Sequence, residues 1–390
     1  MTSPTKVFLR NYYAYGFLWD FIFAYAIYGA MFEMRGLSVL EISTLLAFWS
    51  AATIALEIPS GALSDHWDRR AMLILAPFLK ALCFITWFLA AGDFWLYGLG
   101  FLFWTTGSCL VSGTKEALLF DVLEKNELLA LHEEILGREK LLYYISLSVA
   151  GVLGGFIAYY SIDLALLLSA ATILIAAIPG FFLRDVRHRA SAKPESYFAH
   201  FGNTWRELRV NPALRFLIGY SVLLMTMGAV EEFDQLYYRL VELPIWAFGL
   251  VGASGSALAG GSSYFAHHLK RVNLPWDIVL PAFTGICLLI VGLFPSVTSL
   301  AFLILAYFFM APLTILLQAK IQASIQSESR ATITSAVAFF DEIGGIPQML
   351  AFGFAANTWG LGMGYSLFGA AVLLALFWVT WQRREGLTVV

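Results

Sequence analysis

Apolar runs of about 20 residues, separated by short polar stretches, dominate this chain. A helix of that length crosses the hydrocarbon core of a bilayer. The runs place six spans in the first half of the chain, at roughly 12–32, 39–60, 71–91, 94–118, 142–160 and 164–183. They place six more in the second half, at roughly 214–233, 246–266, 278–294, 299–319, 333–356 and 362–382. The pattern therefore predicts an all-α membrane protein with twelve transmembrane helices.

One long polar connection, residues 184–213, divides these spans into two groups of six. We therefore expect an N-terminal six-helix bundle at 1–183 and a C-terminal six-helix bundle at 214–390, as in transporters built from repeated halves. Within the connection, apolar side chains recur at helical spacing beside arginines, which is typical of an amphipathic helix on a membrane surface. These apolar residues are Tyr197, Phe201, Trp205 and Leu208.

The positive charges are distributed very unevenly over the predicted loops. Of 24 Lys and Arg residues, Arg35 and Arg239 fall on the predicted outer side and Lys80 and Lys115 fall within spans. The other 20 lie on the predicted cytosolic side, in loops and termini or, for Arg215, at the inner end of a span. Loops rich in Lys and Arg stay in the cytosol, which predicts that both termini are cytosolic. Only 13% of residues are charged, against about 25% in soluble domains, so we expect a multi-pass protein of the cell inner (plasma) membrane.

The stretch between the second and third spans carries the most specific motif. It reads Gly61-x-Leu-Ser-Asp65-x-x-x-Arg69-Arg70, and it resembles the loop signature of the major facilitator superfamily of secondary transporters. His66 and Asp68 depart from the family pattern, which usually has a basic residue and a second glycine there. We expected Asp68 to keep the left-handed turn that a glycine would make.

The resemblance implies two six-helix bundles that rock about a central site, and a latch at this loop. Glu57 and the motif residues would form the latch: Gly61 would let two helix ends approach closely, Asp65 would face the positive end of a helix, and Arg69 and Arg70 would lie in the headgroup layer. The alternative is that the arginines serve membrane topology alone.

Acidic side chains within spans are costly and are candidates for function. Asp20 lies near the middle of span one, where it could bind protons or substrate, or could serve as a structural hydrogen-bond partner. Asp341 and Glu342 follow Arg330 by about ten residues, which at 1.5 Å per residue places them roughly 15 Å deep. The residues that follow them, Gly344, Gly345 and Pro347, are expected to break or bend the helix there.

Further charged residues lie close to the ends of spans. Glu231 ends span seven together with Glu232 and Asp234, and these acids could form an outer gate or could be simply solvated. Glu116 lies beside Lys115 at the inner end of span four, so Lys115 and Lys80 could snorkel or could be paired. The middle of span four, Phe103 to Gly113, has no basic residue, which departs from the arginine that the resembled family often carries there.

Two stripes of small residues indicate close helix packing. Gly151, Gly154 and Gly155 in span five have the spacing that lets two backbones approach, although the segment also resembles the glycine-rich segment of exporters in the superfamily. In span eight the small residues at one face are again expected to serve packing. They are Gly249, Ala253, Ala257 and Gly261.

The remaining motifs exclude several classes of function. Cys83, Cys109 and Cys287 are isolated in apolar runs, so we expect neither a metal site nor a cofactor. The chain has no nucleophile elbow, P-loop or HExxH motif, which argues against an enzyme, and no basic cluster suited to nucleic acid. We therefore expect a monomer in the lipid bilayer that exports a small amphipathic or aromatic molecule in exchange for protons. The alternatives are proton-coupled uptake of a nutrient or metal chelate and, third, a membrane enzyme without transport.

Overall fold

The computed structural model describes residues 3–184, 186, 211–224, 226–269, 275–324 and 330–384. Over these residues the protein is all-helical and contains no strand. The amphipathic helix predicted around Tyr197 lies outside the described residues.

The first half of the chain contains nine α-helices among its described residues. They are α1 (Ser3–Trp19), α2 (Tyr28–Met34), α3 (Val39–His66), α4 (Arg69–Ala90), α5 (Phe94–Val111), α6 (Thr114–Lys125), α7 (His132–Tyr160), α8 (Ile162–Ile175) and α9 (Ala177–Gly180). Two short 3-10 turns accompany them, at Phe23–Ala26 and Leu129–Leu131.

The described part of the second half also contains nine α-helices. They are α10 (Pro212–Leu224), α11 (Thr226–Glu231), α12 (Asp234–Leu240), α13 (Phe248–Tyr264), α14 (Ala266–Leu269), α15 (Trp276–Leu293), α16 (Leu300–Ala323), α17 (Arg330–Trp359) and α18 (Leu361–Arg384). The 3-10 turns here are Ile245–Ala247 and Val297–Ser299.

Every predicted span coincides with helical structure. Within the described residues, ten helical stretches are long and apolar enough to cross a membrane. The predicted spans eight and eleven coincide with two further helices, α13 and α17. The membrane-spanning all-helical class is therefore confirmed, and the exact number of twelve spans stays a prediction.

Some helices extend well beyond the apolar runs that predicted them. Helix α3 continues to His66, and α7 begins at His132, ten residues before predicted span five. Hydropathy marks only the part of a helix that lies in lipid, so polar extensions of this kind escape a sequence window.

The Cα positions divide the chain into two compact units. The first unit comprises Met1–Arg35, Ala52–Pro194 and Pro244–Leu250. Its central packing is between α4 and α5, with α8 also against α4. The core there is aromatic and fully buried, with Trp87 at its centre in edge contact with Phe32 and Phe101.

The second unit comprises Gly36–Ala51, Glu195–Leu243 and Val251–Val390. Its central packing joins α15 to α18 and to α16. Aromatic residues again fill the core: Phe352 stacks on Phe233 at 4.1 Å between ring centres and meets Tyr365 edge-on.

The glycines of span five pack backbone against backbone, as predicted. A Cβ added at Gly154 would collide with the carbonyl of Phe23, and one at Gly155 would lie 2.9 Å from the carbonyl oxygen of Trp246. Gly249 lies in the same way against the backbone of Gly151. The stripe predicted in span eight does not pack along its whole length, because a Cβ at Gly261 would meet no described atom within 4 Å.

Of the break or bend predicted after Asp341, the break is wrong, and the bend stays a prediction. Helix α17 runs without interruption from Arg330 to Trp359, with Pro347 inside it. Gly344 instead provides space for a neighbouring helix, since a Cβ there would collide with the side chain of Val222 in α10.

Candidate functional site

The first span is interrupted at Asp20, which the apolar pattern does not reveal. Helix α1 ends at Trp19, and a 3-10 turn at Phe23–Ala26 precedes α2. Hydroxyl groups of neighbouring helices bind the backbone groups at this break: Thr172 donates to the Phe21 carbonyl at 2.9 Å, and Ser169 accepts from the Ala24 N–H at 3.0 Å. Such contacts let irregular backbone exist at membrane depth.

Lys80 of α4 joins the two sides of this break. Its side chain is 1% exposed, and its Nζ donates to the Tyr25 hydroxyl at 3.0 Å and to the Trp19 carbonyl at 3.4 Å. The ammonium lies 4.2 Å from the centre of the Trp19 ring and 5.3 Å from that of Trp104, within the range of cation–π attraction. Snorkelling is therefore excluded for Lys80, because the ammonium is enclosed by protein.

Asp20 itself is partly buried beside this arrangement. The carbonyl of the preceding residue, Trp19, accepts the hydrogen bond from the Lys80 ammonium at this break. The break thus combines a carboxylate, a buried ammonium and several aromatic rings within one unit.

A second charged cluster lies between α1, α6 and α7. Lys115 forms an ion pair with Glu139, whose other carboxylate oxygen accepts a hydrogen bond from the Tyr12 hydroxyl at 2.7 Å. Of the two alternatives for Lys115, pairing is therefore confirmed, and the partner is Glu139 instead of the adjacent Glu116. Adjacent helical residues point about 100° apart, and Glu116 is exposed.

Sequence reasoning missed Glu139 altogether. It lies three residues before predicted span five, on the polar extension of α7. The sequence feature that could have identified Glu139 is its place next to Arg138, in a segment whose charged residues recur at helical spacing.

The second unit contains a comparable break in predicted span seven. Helix α11 ends at Glu231, and α12 begins at Asp234. Asp234 is only 7% exposed, and its two carboxylate oxygens accept hydrogen bonds from Tyr307 at 2.7 Å and Tyr365 at 3.2 Å. For Asp234 the interpretation that the acid is simply solvated is wrong, because its side chain is buried and both of its oxygens bind tyrosine hydroxyls.

A pocket of about 120 Å³ opens beside Asp234. One wall carries acidic and tyrosine side chains, and the facing wall is formed by small residues of α13. The lining residues are Glu231, Asp234, Tyr238, Val251, Gly252, Gly255, Ser256, Ala259, Leu303, Ile304 and Tyr307.

Asp341 and Glu342 do not line this pocket. Asp341 is partly buried and accepts a hydrogen bond from Ser221 at 3.2 Å through Oδ2, whereas its buried Oδ1 has no partner within the described structure. Glu342, the next residue along α17, is exposed. The two acids therefore point into different surroundings, as their helical spacing requires.

The motif between spans two and three lies mostly on helix ends. Glu57 accepts a hydrogen bond from Ser112, the residue after α5, at 2.7 Å. Arg69 donates to Asp121 of α6 at 2.6 Å, and Arg70 donates to the Phe181 carbonyl at 2.6 Å. These contacts join α3 and α4 to other elements of the same unit.

A Cβ at Gly61 would meet no described atom within 4 Å, so the close approach of two helix ends there stays a prediction. Asp68 does not adopt a left-handed turn: its φ is −70° and its side chain caps α4 by accepting from the Arg70 N–H at 2.9 Å. The side chain of Asp65 lies outside the described residues.

Comparison with known proteins decides the family. A model of the Major Facilitator Superfamily matches residues 7–349. The chain belongs to the major facilitator superfamily. It is therefore a multi-pass membrane transporter rather than an enzyme.

Solved structures show the same fold at low sequence identity. The nucleoside transporter NupG superposes with a TM-score of 0.73 at 11% identity, covering 96% of this chain and 98% of that chain. A bacterial homolog to the human lysosomal transporter Spinster, in an inward-facing and occupied conformation, gives 0.72 at 14%, covering 98% of both chains. The xylose transporter XylE from E. coli gives 0.63 at 12%, covering 98% and 95%. A search of the curated proteins found no match.

Proposed function

We propose that this transporter exports a small amphipathic or aromatic molecule by alternating access, driven by the entry of protons. Two six-helix bundles, 1–183 and 214–390, would rock about the substrate while the protein acts as a monomer in the plasma membrane. The observation that carries the proposal is Asp20, a carboxylate placed at a break in a membrane-spanning helix.

The surroundings of Asp20 support proton coupling. Removing a carboxylate from water disfavours its charged form, whereas a nearby positive charge favours it. Asp20 is partly buried, and the ammonium of Lys80 lies at the same break, where it donates to the carbonyl of the adjacent Trp19. A carboxylate under these opposing influences is suited to load and release a proton as the solvent access of the break changes.

The other acids have secondary roles in the proposal. Asp341 and Glu342 are the next candidates for proton binding, because Asp341 has a buried oxygen with no partner in the described residues. Glu116 and Glu231 follow. Glu57, Gly61, Asp65, Arg69 and Arg70 would form the latch that biases one conformation.

The preference for an amphipathic or aromatic substrate rests on the rings around the break. Trp19, Tyr25 and Trp104 surround the Lys80 ammonium, so the same region offers flat apolar surface beside charge. One observation favours uptake as the second candidate function: a D-xylose-proton symporter shares the fold, with a TM-score of 0.65 at 10% identity and 96% of each chain covered.

The test uses purified protein in proteoliposomes with an imposed pH gradient. A substrate is first found by thermal stabilisation against a library of metabolites and drugs, since a ligand that binds the native state raises its apparent stability. We expect Asp20→Asn to abolish proton-driven accumulation while exchange without a gradient persists. Asp93→Asn is the matched control, because Asp93 is an exposed helix cap and Asn caps equally well.

The direction of transport is read in whole cells. Export predicts that a protonophore raises the accumulation of substrate, whereas uptake predicts that it lowers accumulation. If Asp20→Asn retains uphill transport with the unmutated proton stoichiometry, the assignment of Asp20 is wrong, and Asp341→Asn and Glu342→Gln are then tested separately.

A further inference from the structure

The pocket of the second unit has an unbalanced charge. Two of its lining residues, Glu231 and Asp234, are carboxylates, and no basic side chain lines it among the residues that the structure describes. Asp234 is nine-tenths buried, and a buried carboxylate is costly unless a positive charge or a proton compensates it. Its two tyrosine hydrogen bonds supply only partial compensation, because they carry no charge.

The first unit places a positive charge at the corresponding break. There Asp20 lies at the break of the unit's first span, and the ammonium of Lys80 donates to the carbonyl of the adjacent Trp19 among aromatic rings. One of those rings, Trp104, comes from the unit's fourth span. The C-terminal half repeats this arrangement: Asp234 lies at a break of its first span, and Tyr307, which donates to Asp234, comes from its fourth span. An acid and an aromatic ring therefore occupy corresponding positions in the two halves. No basic side chain corresponding to Lys80 occurs among the described residues that line the pocket.

We infer that this pocket binds the ammonium group of a primary amine, and that this amine belongs to the transported molecule. The inference deepens the proposed function and rests on it, because it names the class of substrate. In the first unit a side chain, Lys80, supplies the ammonium group, whereas in the second unit the ligand would supply it.

The arrangement around Asp234 suits such a group. Each of its carboxylate oxygens accepts one tyrosine hydrogen bond, which orients the carboxylate and leaves further lone pairs for the N–H groups of an ammonium. Glu231 offers a second carboxylate at the end of α11, and the Tyr238 and Tyr307 rings line the pocket beside it. Rings of this kind attract organic ammonium groups.

The size of the pocket limits what enters it. Its volume of about 120 Å³ is several times the roughly 10–15 Å³ of such space that one water molecule needs. That space accommodates an ammonium with its first carbon atoms, so the rest of an aromatic amine would extend beyond the pocket. The small residues of α13 make this room: a Cβ at Gly252 would meet no described atom within 4 Å, and one at Gly255 would lie 3.9 Å from Tyr307.

The experiment measures binding by the purified full-length protein at pH 7. The probe is tryptamine, and tryptophol is its uncharged counterpart with a hydroxyl in place of the amine. We expect tryptamine to bind about tenfold or more tightly than tryptophol, since a hydrogen bond to a charged group is worth about 1.5–3 kcal/mol. Asp234→Asn should remove this preference. Glu242→Gln, an exposed acid of the same unit, is the matched control and should keep it.

A second variant covers the case in which Asp234→Asn fails to fold. Glu231→Gln changes an acid that is exposed to the pocket, and we expect it to weaken tryptamine binding several-fold. Equal binding of tryptamine and tryptophol overturns the inference, as does undiminished tryptamine preference in both folded variants. Stabilisation by NaCl over choline chloride that depends on Asp234, without any effect of tryptamine, would instead identify an inorganic cation site and also overturn it.

The two proposals fail in different ways. If the protein exports a molecule without an amine, and this export needs protons and Asp20, the proposed function stands and the ammonium site is wrong. If tryptamine binds in an Asp234-dependent way but the protein transports nothing in proteoliposomes, the ammonium site stands and the proposed function is wrong.

Discussion

At the scale of single residues, Lys80 explains why span one breaks where it does. Ending α1 at Trp19 leaves backbone carbonyls without their helical partners, and the C-terminal end of a helix carries partial negative charge. The Lys80 ammonium donates to the Trp19 carbonyl and to Tyr25 beyond the break. A buried cation therefore stabilises the interruption from both sides.

This role predicts the effect of Lys80→Met. The variant should lower the free energy of unfolding by about 1–3 kcal/mol, because it removes the cation–π contact and the two hydrogen bonds that the ammonium donates to the Trp19 carbonyl and the Tyr25 hydroxyl. The measurement is the thermal unfolding of purified protein. Lys140→Met is the control: Lys140 also lies over aromatic rings, those of Tyr143 and Tyr144, but it is exposed, so its loss should change stability by about 0.5 kcal/mol or less. Equal unfolding temperatures for the two variants would contradict the structural role of Lys80.

The sequence located the charged residues of the site but not their partners. Asp20 and Lys80 were recognisable as acid and base within apolar runs, yet the contact of Lys80 with Tyr25 joins residues 55 positions apart. The same holds for Asp234, whose burial depends on Tyr307 and Tyr365 from two other helices. Contacts of this range are set by how helices pack, which periodicity along one helix does not specify.

At the scale of helices, the apolar runs predicted the elements well and their interruptions poorly. Helix α15 covers Trp276–Leu293 where 278–294 was predicted, because a buried or lipid-facing helix is apolar all round. The break at Asp20 was invisible, since the residues on both sides of it are apolar. Conversely, Gly344, Gly345 and Pro347 suggested a break that α17 does not have. A neighbouring helix decides whether a glycine serves flexibility or close packing.

Helix packing at span five leads to a prediction for two glycines on α7. Gly154→Ala should destabilise the protein by about 1–3 kcal/mol, because the added methyl group would overlap the backbone carbonyl of Phe23, which cannot rotate away as a side chain could. Gly151→Ala is the matched control on the same helix. Its Cβ would meet no described atom within 4 Å, so it should be neutral or stabilise by up to about 1 kcal/mol through the higher helix propensity of alanine. The measurement is the unfolding temperature and folded yield of both variants, and a reversed order would refute the packing assignment.

At the scale of the whole molecule, fold and family follow from different features. The length and number of apolar runs predicted a helical membrane protein, and the match of residues 7–349 to the superfamily confirms the resemblance seen in Gly61 to Arg70. Neither the apolar runs nor the motif identifies the substrate. Transporters for nucleosides and for xylose share this fold at about 10% identity, so the fold alone does not specify what is transported.

The orientation of the molecule in the membrane is the last prediction. By the positive-inside rule, 20 basic residues assigned to one side, against Arg35 and Arg239 on the other, place both termini in the cytosol. A reporter that is active only in the cytosol should therefore be active when fused after Val390, and a reporter that is active only after export should be inactive there. The control is the same pair of reporters fused after Gly92, in a connection between α4 and α5 that should lie outside, where the activities should reverse. An export-active reporter after Val390 would require an odd number of spans and would overturn the count of twelve.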